Sequence, residues 1–298
     1  MAVGSVLPEV PPRRSSWWPT WRAARRDPGA WVGAVVLGSV VLVAWLAPHL
    51  APMDPDAQDI IHRLLPPMAV RTGHRFWLGT DQLGRDLLSR VTFGSRISLL
   101  VGFSAVALSA AFGTTVGVLS GYFGRLWDDL LMRVTDVQLA FPSILLSLAI
   151  VAILGAGVRN LIAVLAISGW VGYARVTRSR VLGIREREYI EAARALGARD
   201  QRIIFRHVVP NVLPSMLTIA SFSLGGMITS EAALTFLGLG IPSNIPSWGG
   251  MLTDGAQYLS VAWWLATFPG AAIMLTVLAT NLIGDWLRDA LDPRAGAG

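Results

Sequence analysis

Long stretches without Asp, Glu or Arg limit more than any other feature how this chain can fold. A bilayer core about 30 Å thick is crossed by a helix of about 20 apolar residues. Six stretches reach or approach that length: 28–53, 97–124, 137–158, 160–174, 208–230 and 255–284. The fourth is the shortest, and it still counts because Arg175 at its end can extend to the membrane surface. The sequence therefore predicts an all-α integral membrane protein with six transmembrane helices.

All the positive charge of the chain comes from arginine, and the positions of the arginines orient the helices. The chain has 25 arginines and no lysine, with a net charge of +6. Cytoplasmic loops of membrane proteins are rich in positive residues. If the N-terminus is inside, 18 of the 25 arginines fall on the inner side. We therefore expect both termini in the cytoplasm, and we attribute the charge to membrane topology and not to a nucleic acid partner.

The apolar stretches and charged loops divide the chain. The predicted parts are a basic cytoplasmic tail (1–28), a first transmembrane helix (29–50), an outer segment (51–96), a five-helix core (97–286) and a cytoplasmic C-terminal tail (287–298). A secretory signal peptide is an alternative for the first apolar stretch, with cleavage near residues 44–47. That stretch is longer than the roughly 7 to 15 apolar residues of a signal, so an uncleaved anchor fits better.

The second apolar stretch carries small residues at every fourth position, namely Ala105, Ser109, Gly113, Gly117 and Gly121. A helix places residues at this spacing on one stripe, along which another helix backbone can approach closely. The stripe predicts a packing face. Its partner is either another helix of the same chain or a second membrane subunit.

Two residues inside apolar sequence are candidates for a transport path. Pro269 near the middle of the sixth stretch removes a backbone hydrogen bond and is expected to kink the helix. Glu231 is the one acid embedded in apolar sequence, and an acid within the membrane marks a candidate functional site. The alternative is structural: Thr229 and Ser230 would restart a helix at the outer surface, with Glu231 partly wet in its first turn.

The outer segment gives a weaker prediction. It contains Gly79-Thr80-Asp81 and, after a short interval, Gly84-Arg85-Asp86. These residues would form a short helix at the outer surface that contacts a partner protein, or a plain connector.

The longest charged stretch on the predicted inner side runs from residue 177 to 211 and reads as a helical hairpin. Its centre, about 186–196, is rich in Ala, Leu, Glu and Arg, which favour a helix. Gly197 follows as a helix stop because glycine adopts the left-handed conformation at little cost. A second helical stretch, about 200–209, leads into Pro210. Such a hairpin at the end of membrane helices predicts a docking element for another protein.

Residues of this hairpin resemble a known family. Glu191-Ala192-Ala193, Gly197, His207 and Pro210-Asn211 are similar to the EAA loop of permease subunits in binding-protein-dependent ABC importers. Four other stretches resemble the second permease of dipeptide, oligopeptide and nickel importers: 78–99, 136–146, 231–252 and 281–294. The resemblance covers nearly the whole chain after about residue 25.

The resemblance implies a type I ABC importer permease bundle in the bacterial plasma membrane. Such a subunit pairs with a homologous permease, and it works with two cytoplasmic ATPase subunits and an extracytoplasmic substrate-binding protein. Peptides are the expected substrate, nickel complexes less so. Residues 177–210 would be the coupling loop, which contacts the ATPase. Its implied contact residues are Tyr189, Glu191, Ala192, Ala193, Arg194 and Gly197. In the alternative interpretation, Glu191 only supports its own helix through contacts with Arg187 and Ala195.

The chain itself is expected to carry no catalytic residue, cofactor or metal. A Walker A phosphate loop needs a lysine and thiolate metal sites need cysteine, and the sequence has neither. The four histidines are scattered and not at metal-ligand spacing. ATP hydrolysis is therefore expected on a partner chain.

Two other classes of function are compatible with six membrane helices. A transporter or channel driven by an ion gradient needs carboxylates or broken helices at the membrane midplane in two repeated halves, and only Glu231 is available. A membrane enzyme needs paired acids or histidines on one helix face, which this sequence lacks. Both fit the sequence less well than an importer subunit.

Overall fold

The computed structural model describes residues 27–71 and 73–291, and these are mostly helical. Nearly all of the predicted basic tail (1–28) and the end of the C-terminal tail lie outside the described residues. The α-helices of the described part are α1 Pro28–Leu50, α2 Leu87–Phe123, α3 Arg125–Leu139, α4 Ser143–Leu154, α5 Val158–Arg185, α6 Glu188–Ala195, α7 Asp200–Ile203, α8 Val209–Phe236, α9 Trp248–Ala256 and α10 Trp264–Leu291. The shorter elements are a 3-10 turn Ile60–His62, an antiparallel strand pair β1 Ala69–Arg71 and β2 His74–Phe76, and a π-helical turn Ile204–Val208.

The helices confirm the prediction of a helical membrane protein, with five to six apolar spans. Five helical stretches of the described residues are long and apolar enough to cross a bilayer: α1, α2, α5, α10 and the continuous stretch Asp200–Phe236. Helices α3 and α4, which meet at an angle of 90°, count as a sixth span when the bent pair is taken as one. The predicted span over 137–158 is thus broken between the two helices. Pro142 explains the break, because proline has no N–H to donate and disfavours a helical conformation of the residue before it.

Two span boundaries differ from those expected. Helix α2 begins ten residues before the predicted position 97, because the Asp86 carboxylate accepts the Ser89 N–H at 2.8 Å and caps the helix there. Helix α10 begins at Trp264 and not near 255. Ser247 starts a separate short helix, α9, by accepting the Gly250 N–H at 3.1 Å. The apolar stretch expected as one sixth span thus contains the end of α9, a turn and α10.

Helix α2 runs through the centre of the bundle and contacts α1, α5 and α8. The small-residue stripe lies against α5 of the same chain. A Cβ added to Gly113 would lie 2.3 Å from the Trp170 carbonyl oxygen, and one added to Gly117 would lie 2.4 Å from that of Ala174. Ser109 donates to the Ala166 carbonyl oxygen at 3.2 Å. Ala105 and Gly121 pack on the same helix further along. In this structure α5 therefore covers the stripe, so that face is not open to a second subunit.

The outer segment folds without the short helix that was one expectation for residues 79–86. Thr80 and Asp86 form a β-bridge across a tight turn. Gly79 and Gly84 have φ values of +85° and +75°, which end a right-handed helix. The turn leads directly into α2.

Candidate functional site

The coupling loop contains a helix that ends as the sequence predicts. Gly197 has a φ of +79°. Its N–H donates to the Arg194 carbonyl oxygen at 2.9 Å, and the Ala198 N–H donates to that of Ala193 at 3.0 Å. This pair of bonds is the Schellman arrangement, in which glycine is favoured at the left-handed position. Gly197 thus fixes both the end of α6 and the direction in which the chain leaves it.

One face of α6 is buried and the other is exposed. Ile190 is fully buried in a hydrophobic cluster with the ends of α2, α5 and α8. Glu191, Ala192 and Arg194 are exposed, Ala193 is half-buried, and Leu196 at the tip is 88% exposed. Leu196 and the 41% exposed Tyr189 thus give this side of the loop apolar surface next to Glu191 and Arg194.

The side chain of Glu191 makes no hydrogen bond and no ion pair with any of the described residues. The alternative interpretation, in which Glu191 serves its own helix, would require contact with Arg187. The structure gives the carboxylate no such ion pair. It leaves this acid facing solvent on the exposed side of α6.

Tyr122 at the end of α2 holds the coupling loop, and no motif in the sequence predicts this role. Its hydroxyl donates to the Asp200 carboxylate at 2.6 Å. The Arg194 guanidinium lies 5.4 Å from the centre of its ring, within the range of a cation–π contact. Arg185 at the end of α5 donates to the Gly121 carbonyl oxygen at 3.1 Å. A tyrosine at the predicted end of a membrane helix was the only signal available.

The π-helical turn joins the coupling loop to α8. Val209 N–H bonds to the Ile204 carbonyl oxygen, five residues back, and Pro210 has no N–H to continue the α-helical pattern. The Asn211 side-chain amide donates to the His207 carbonyl oxygen at 2.6 Å. The expected second helix over 200–209 is therefore α7 followed by this turn. Tyr189 and His207 bring their rings to 6.0 Å, so the turn also contacts α6.

Ion pairs connect α3 to α5 on the side of the coupling loop. Arg178 donates from Nε and Nη2 to the two oxygens of Asp128 at 2.5 and 2.6 Å. Arg175 pairs with Asp136 of α3, rather than extending alone to the membrane surface. A bidentate arginine–carboxylate pair fixes orientation as well as distance.

The two predicted path residues lie elsewhere, on the far half of the bundle. Glu231 is fully buried within an unbroken α8, so the structural alternative, in which a helix restarts at Thr229 and Ser230 with a partly wet acid, is wrong. Pro269 is buried in the second turn of α10, and α10 continues as a single helix. The structure brings neither residue to the coupling loop. Within residues 27–71 and 73–291, no cluster of three or more His, Asp or Glu side chains is arranged to hold a metal.

The sequence matches two family models. One, described as the binding-protein-dependent transport system inner membrane component, matches residues 113–296. The other, the N-terminal TM domain of oligopeptide transport permease C, matches residues 15–67. The two matches together span most of the chain.

Several curated proteins are similar over nearly their full length. The dipeptide transport system permease protein DppC of Alkalihalophilus pseudofirmus is 44% identical over 94% of this chain and 90% of that protein. The di/tripeptide transport system permease protein DppC of Pseudomonas aeruginosa is 43% identical over 92% of this chain and 91% of its own length. The glutathione transport system permease protein GsiD of Shigella boydii is 41% identical over 98% and 96%.

A solved structure has a similar fold. It is a chain of the MetNI methionine ABC transporter in an inward-facing conformation, with a TM-score of 0.51 and 18% identity. The similarity covers 68% of this chain and 96% of that chain.

Proposed function

The chain belongs to the family of inner membrane components of binding-protein-dependent transport systems, and we propose that it forms, with a second permease, the translocation path of an ATP-driven importer of short peptides. Family membership makes it a multi-pass, non-catalytic subunit of the inner membrane. A permease of this family works with a partner permease, ATPase subunits and a binding protein. The ion-gradient and membrane-enzyme alternatives are excluded by the same membership.

The proposed substrate class is peptides of two or three residues. The relatives above are described as permeases for dipeptides, di/tripeptides and glutathione, which are all short peptides. The expectation of a peptide substrate from the sequence agrees with these relatives, and nickel complexes have no such support among them. We propose that the external binding protein makes most of the choice among peptides.

We also propose that both termini lie in the cytoplasm, with the outer segment on the opposite side. Nine arginines between residues 175 and 206 would then face the cytoplasm, as expected for the inner side of a membrane protein. The proposed division of the chain keeps the predicted parts, from the basic tail 1–28 to the C-terminal tail 287–298, with one boundary moved. The start of α2 at Leu87 extends the core domain beyond its predicted limit of residue 97.

The exposed face of α6 is the observation that supports our proposal that the coupling loop docks on an ATPase subunit. Leu196 and Glu191 are presented to solvent, while Ile190 and the Tyr122–Asp200 hydrogen bond fasten the loop to α2 and α8. A push on α6 would therefore move the inner ends of two membrane helices. Because coupling between sites is reciprocal, a loaded binding protein outside should also raise ATPase activity inside.

The test is the ATPase activity of the complete importer in lipid nanodiscs, with and without its peptide-loaded binding protein. Gly197→Pro cannot adopt the φ of +79° and should reduce the stimulated activity to the basal level. Glu191→Ala should lower stimulation, because it removes an exposed acid from the docking face without disturbing the fold.

Matched controls exist for both variants. Gly155→Pro changes a glycine with a φ of +82° and open surroundings, at the far end of α4, and should leave stimulation intact. Glu186→Ala removes an exposed acid just before α6. Wild-type stimulation in both Gly197→Pro and Glu191→Ala would refute the coupling role.

A further inference from the structure

A hydrogen-bonded network centred on Glu231 links three helices in the half of the bundle that faces the outer segment. Its carboxylate is fully buried. Ser98 of α2 donates to one carboxylate oxygen at 3.1 Å, and Thr235, one turn further along α8, donates to the other at 3.1 Å. Both oxygens of a buried acid are thus used, each by a hydroxyl group.

Each hydroxyl group also accepts a hydrogen bond from a backbone N–H, one in the connection between α8 and α9 and one at the start of α9. Ser98 Oγ accepts the Trp248 N–H at 3.3 Å, and Thr235 Oγ1 accepts the Ile241 N–H at 3.2 Å. A hydroxyl group has one proton to donate, and for both Ser98 and Thr235 a carboxylate oxygen of Glu231 is an acceptor within reach. A carboxylate at position 231 offers an acceptor oxygen to each of the two hydroxyl groups at once. The network holds the connection 237–247 near both of its ends.

The same connection leads into α9, which is fixed to its neighbours with little free space. The Trp248 indole N–H donates to the Val91 carbonyl oxygen of α2 at 3.1 Å. A Cβ on Gly249 would lie 2.7 Å from the Ala232 Cα of α8, and one on Gly255 would lie 2.7 Å from the Leu265 carbonyl carbon of α10. Helix α9 thus has close backbone contacts with the core on two sides.

Helix α9 also contacts the outer segment. Asp254 lies 3.7 Å from the guanidinium of Arg85, whose Nε donates to Asp81 at 2.5 Å. Through these ion pairs the turn 79–86 contacts α9, and through Ser98 and Glu231 α9 contacts α2 and α8. Polar contacts near the two ends of α9, joined by the helix itself, therefore connect the outer segment with α2 and α8.

We propose that Glu231 is a positioning residue for transport, which holds the connection 237–247 and α9 so that a change at the outer segment moves α2 and α8. The proposal rests on the proposed function, since it concerns the signal from a docked binding protein. Glu231 lines no path in this role and contacts no substrate. It acts through Ser98, Thr235 and the backbone they hold.

The test uses the complete importer in nanodiscs and measures ATPase activity per assembled complex. Glu231→Gln should leave basal activity unchanged and reduce stimulation by the binding protein roughly tenfold, because the amide nitrogen cannot accept the second hydroxyl proton. Ser98→Ala removes one donor and should cause a smaller loss. Glu231→Asp keeps both acceptor oxygens and should restore part of the stimulation.

Two further measurements separate positioning from mere stability. Backbone amides of residues 237–250 should exchange with deuterium faster in Glu231→Gln than in the wild type. The double variant with Ser98→Ala should be no worse than Glu231→Gln alone, because both act on one network. Thr115→Val is the matched control, since this exposed hydroxyl of α2 bonds only to the Ala111 carbonyl oxygen of its own helix, at 2.7 Å.

Wild-type stimulation per complex in both Glu231→Gln and Ser98→Ala would overturn the proposal. A reduced yield of complex with unchanged stimulation would also overturn it, because the acid would then serve the fold alone. If Glu231→Gln does not assemble, Ser98→Ala decides on the same readouts. Failure of the wild-type complex to respond to any peptide-loaded binding protein would instead contradict the proposed function, so the two failures are distinguishable.

Discussion

The outer segment and the coupling loop are both long connections between membrane helices, yet different interactions fix them to the bundle. Buried ion pairs fix the outer segment, and a buried apolar side chain fixes the loop. In the outer segment and the first turn of α2, Asp81, Arg85 and Arg90 are each at most 5% exposed and lie within 4 Å of an opposite charge. The coupling loop buries Ile190 and leaves Leu196 88% exposed. Both regions expose large apolar side chains, among them Ile61 of the outer segment at 89%, so the difference between the two regions lies in the buried charges of the outer segment.

Glycines show the same difference between the two regions. Gly84 and Gly197 have similar φ values, +75° and +79°. A Cβ on Gly84 would lie 1.7 Å from the Asp59 carbonyl oxygen, whereas one on Gly197 would have no atom within 4 Å. Glycine is required at position 84 by the backbone conformation and by the neighbouring atoms. At position 197 it is required by the backbone conformation alone.

The largest expected effect is that of Gly84→Ala. Strain at positive φ and a clash with backbone should together cost about 4 kcal/mol of folding stability. Gly197→Ala has the same strain without the clash and should cost only about 1 kcal/mol. Thermal unfolding of the purified chain in one detergent compares the two. Equal destabilisation would mean that the outer segment is as loosely packed as the loop.

Removing a buried charge from the outer segment should have the next largest effect. Asp81→Asn leaves Arg85 and Arg90 without their common partner and should cost about 3 kcal/mol. Glu191→Gln, on the exposed face of α6, should change stability by less than about 0.5 kcal/mol. Denaturant unfolding measures the loss of stability in each variant, and a small loss for Asp81→Asn would contradict a stabilising role of the buried charges in the outer segment.

Tyr122→Phe tests how firmly the coupling loop is held. Loss of the hydrogen bond to the Asp200 carboxylate should cost about 1.5 kcal/mol. Because that bond joins the loop to α2, amides of residues 186–203 should exchange with deuterium faster, while those of the outer segment should not change. Phe123→Leu, the neighbouring half-exposed ring, serves as the control. Unchanged exchange in the loop would show that the Ile190 cluster alone fixes it.

The smallest expected effect is a dependence on pH in the outer segment. A hydrogen bond from His62 is the main cause that lowers the pKa of the exposed Asp59 carboxyl below its ordinary value. A depressed pKa in the folded state contributes stability above the unfolded value and loses it as pH falls through the folded one. Between pH 6 and pH 3 the wild type should therefore lose slightly more thermal stability than Asp59→Asn. An identical loss in both would show that the contact contributes nothing.

Local patterns in the sequence were enough for much of the fold and for part of the candidate site. The length of the apolar stretches predicted the membrane spans. The spacing of small residues predicted a packing face, and Gly197 predicted the end of α6. Each of these signals lies within one segment of the chain. Pro142 was visible as well, yet the 90° angle between α3 and α4 depends on what packs against them.

The features that the sequence did not predict depend on pairs of residues far apart in the chain. Ser98 and Glu231 are 133 positions apart, and Tyr122 and Asp200 are 78. The early start of α2 has a local cause instead, the cap at Asp86, and it was missed because the arginines at 85, 90 and 96 interrupt the apolar stretch. A polar residue in one segment does not reveal which distant group will pair with it.

The π-helical turn Ile204–Val208 has a consequence for direction in space. One residue in an α-helix corresponds to a rotation of about 100° about the axis. The extra residue in the turn therefore sets the angle at which α6 and α7 leave the axis of α8. Loss of a single residue there would leave the composition of the loop almost unchanged and point its exposed face about a quarter of a revolution away.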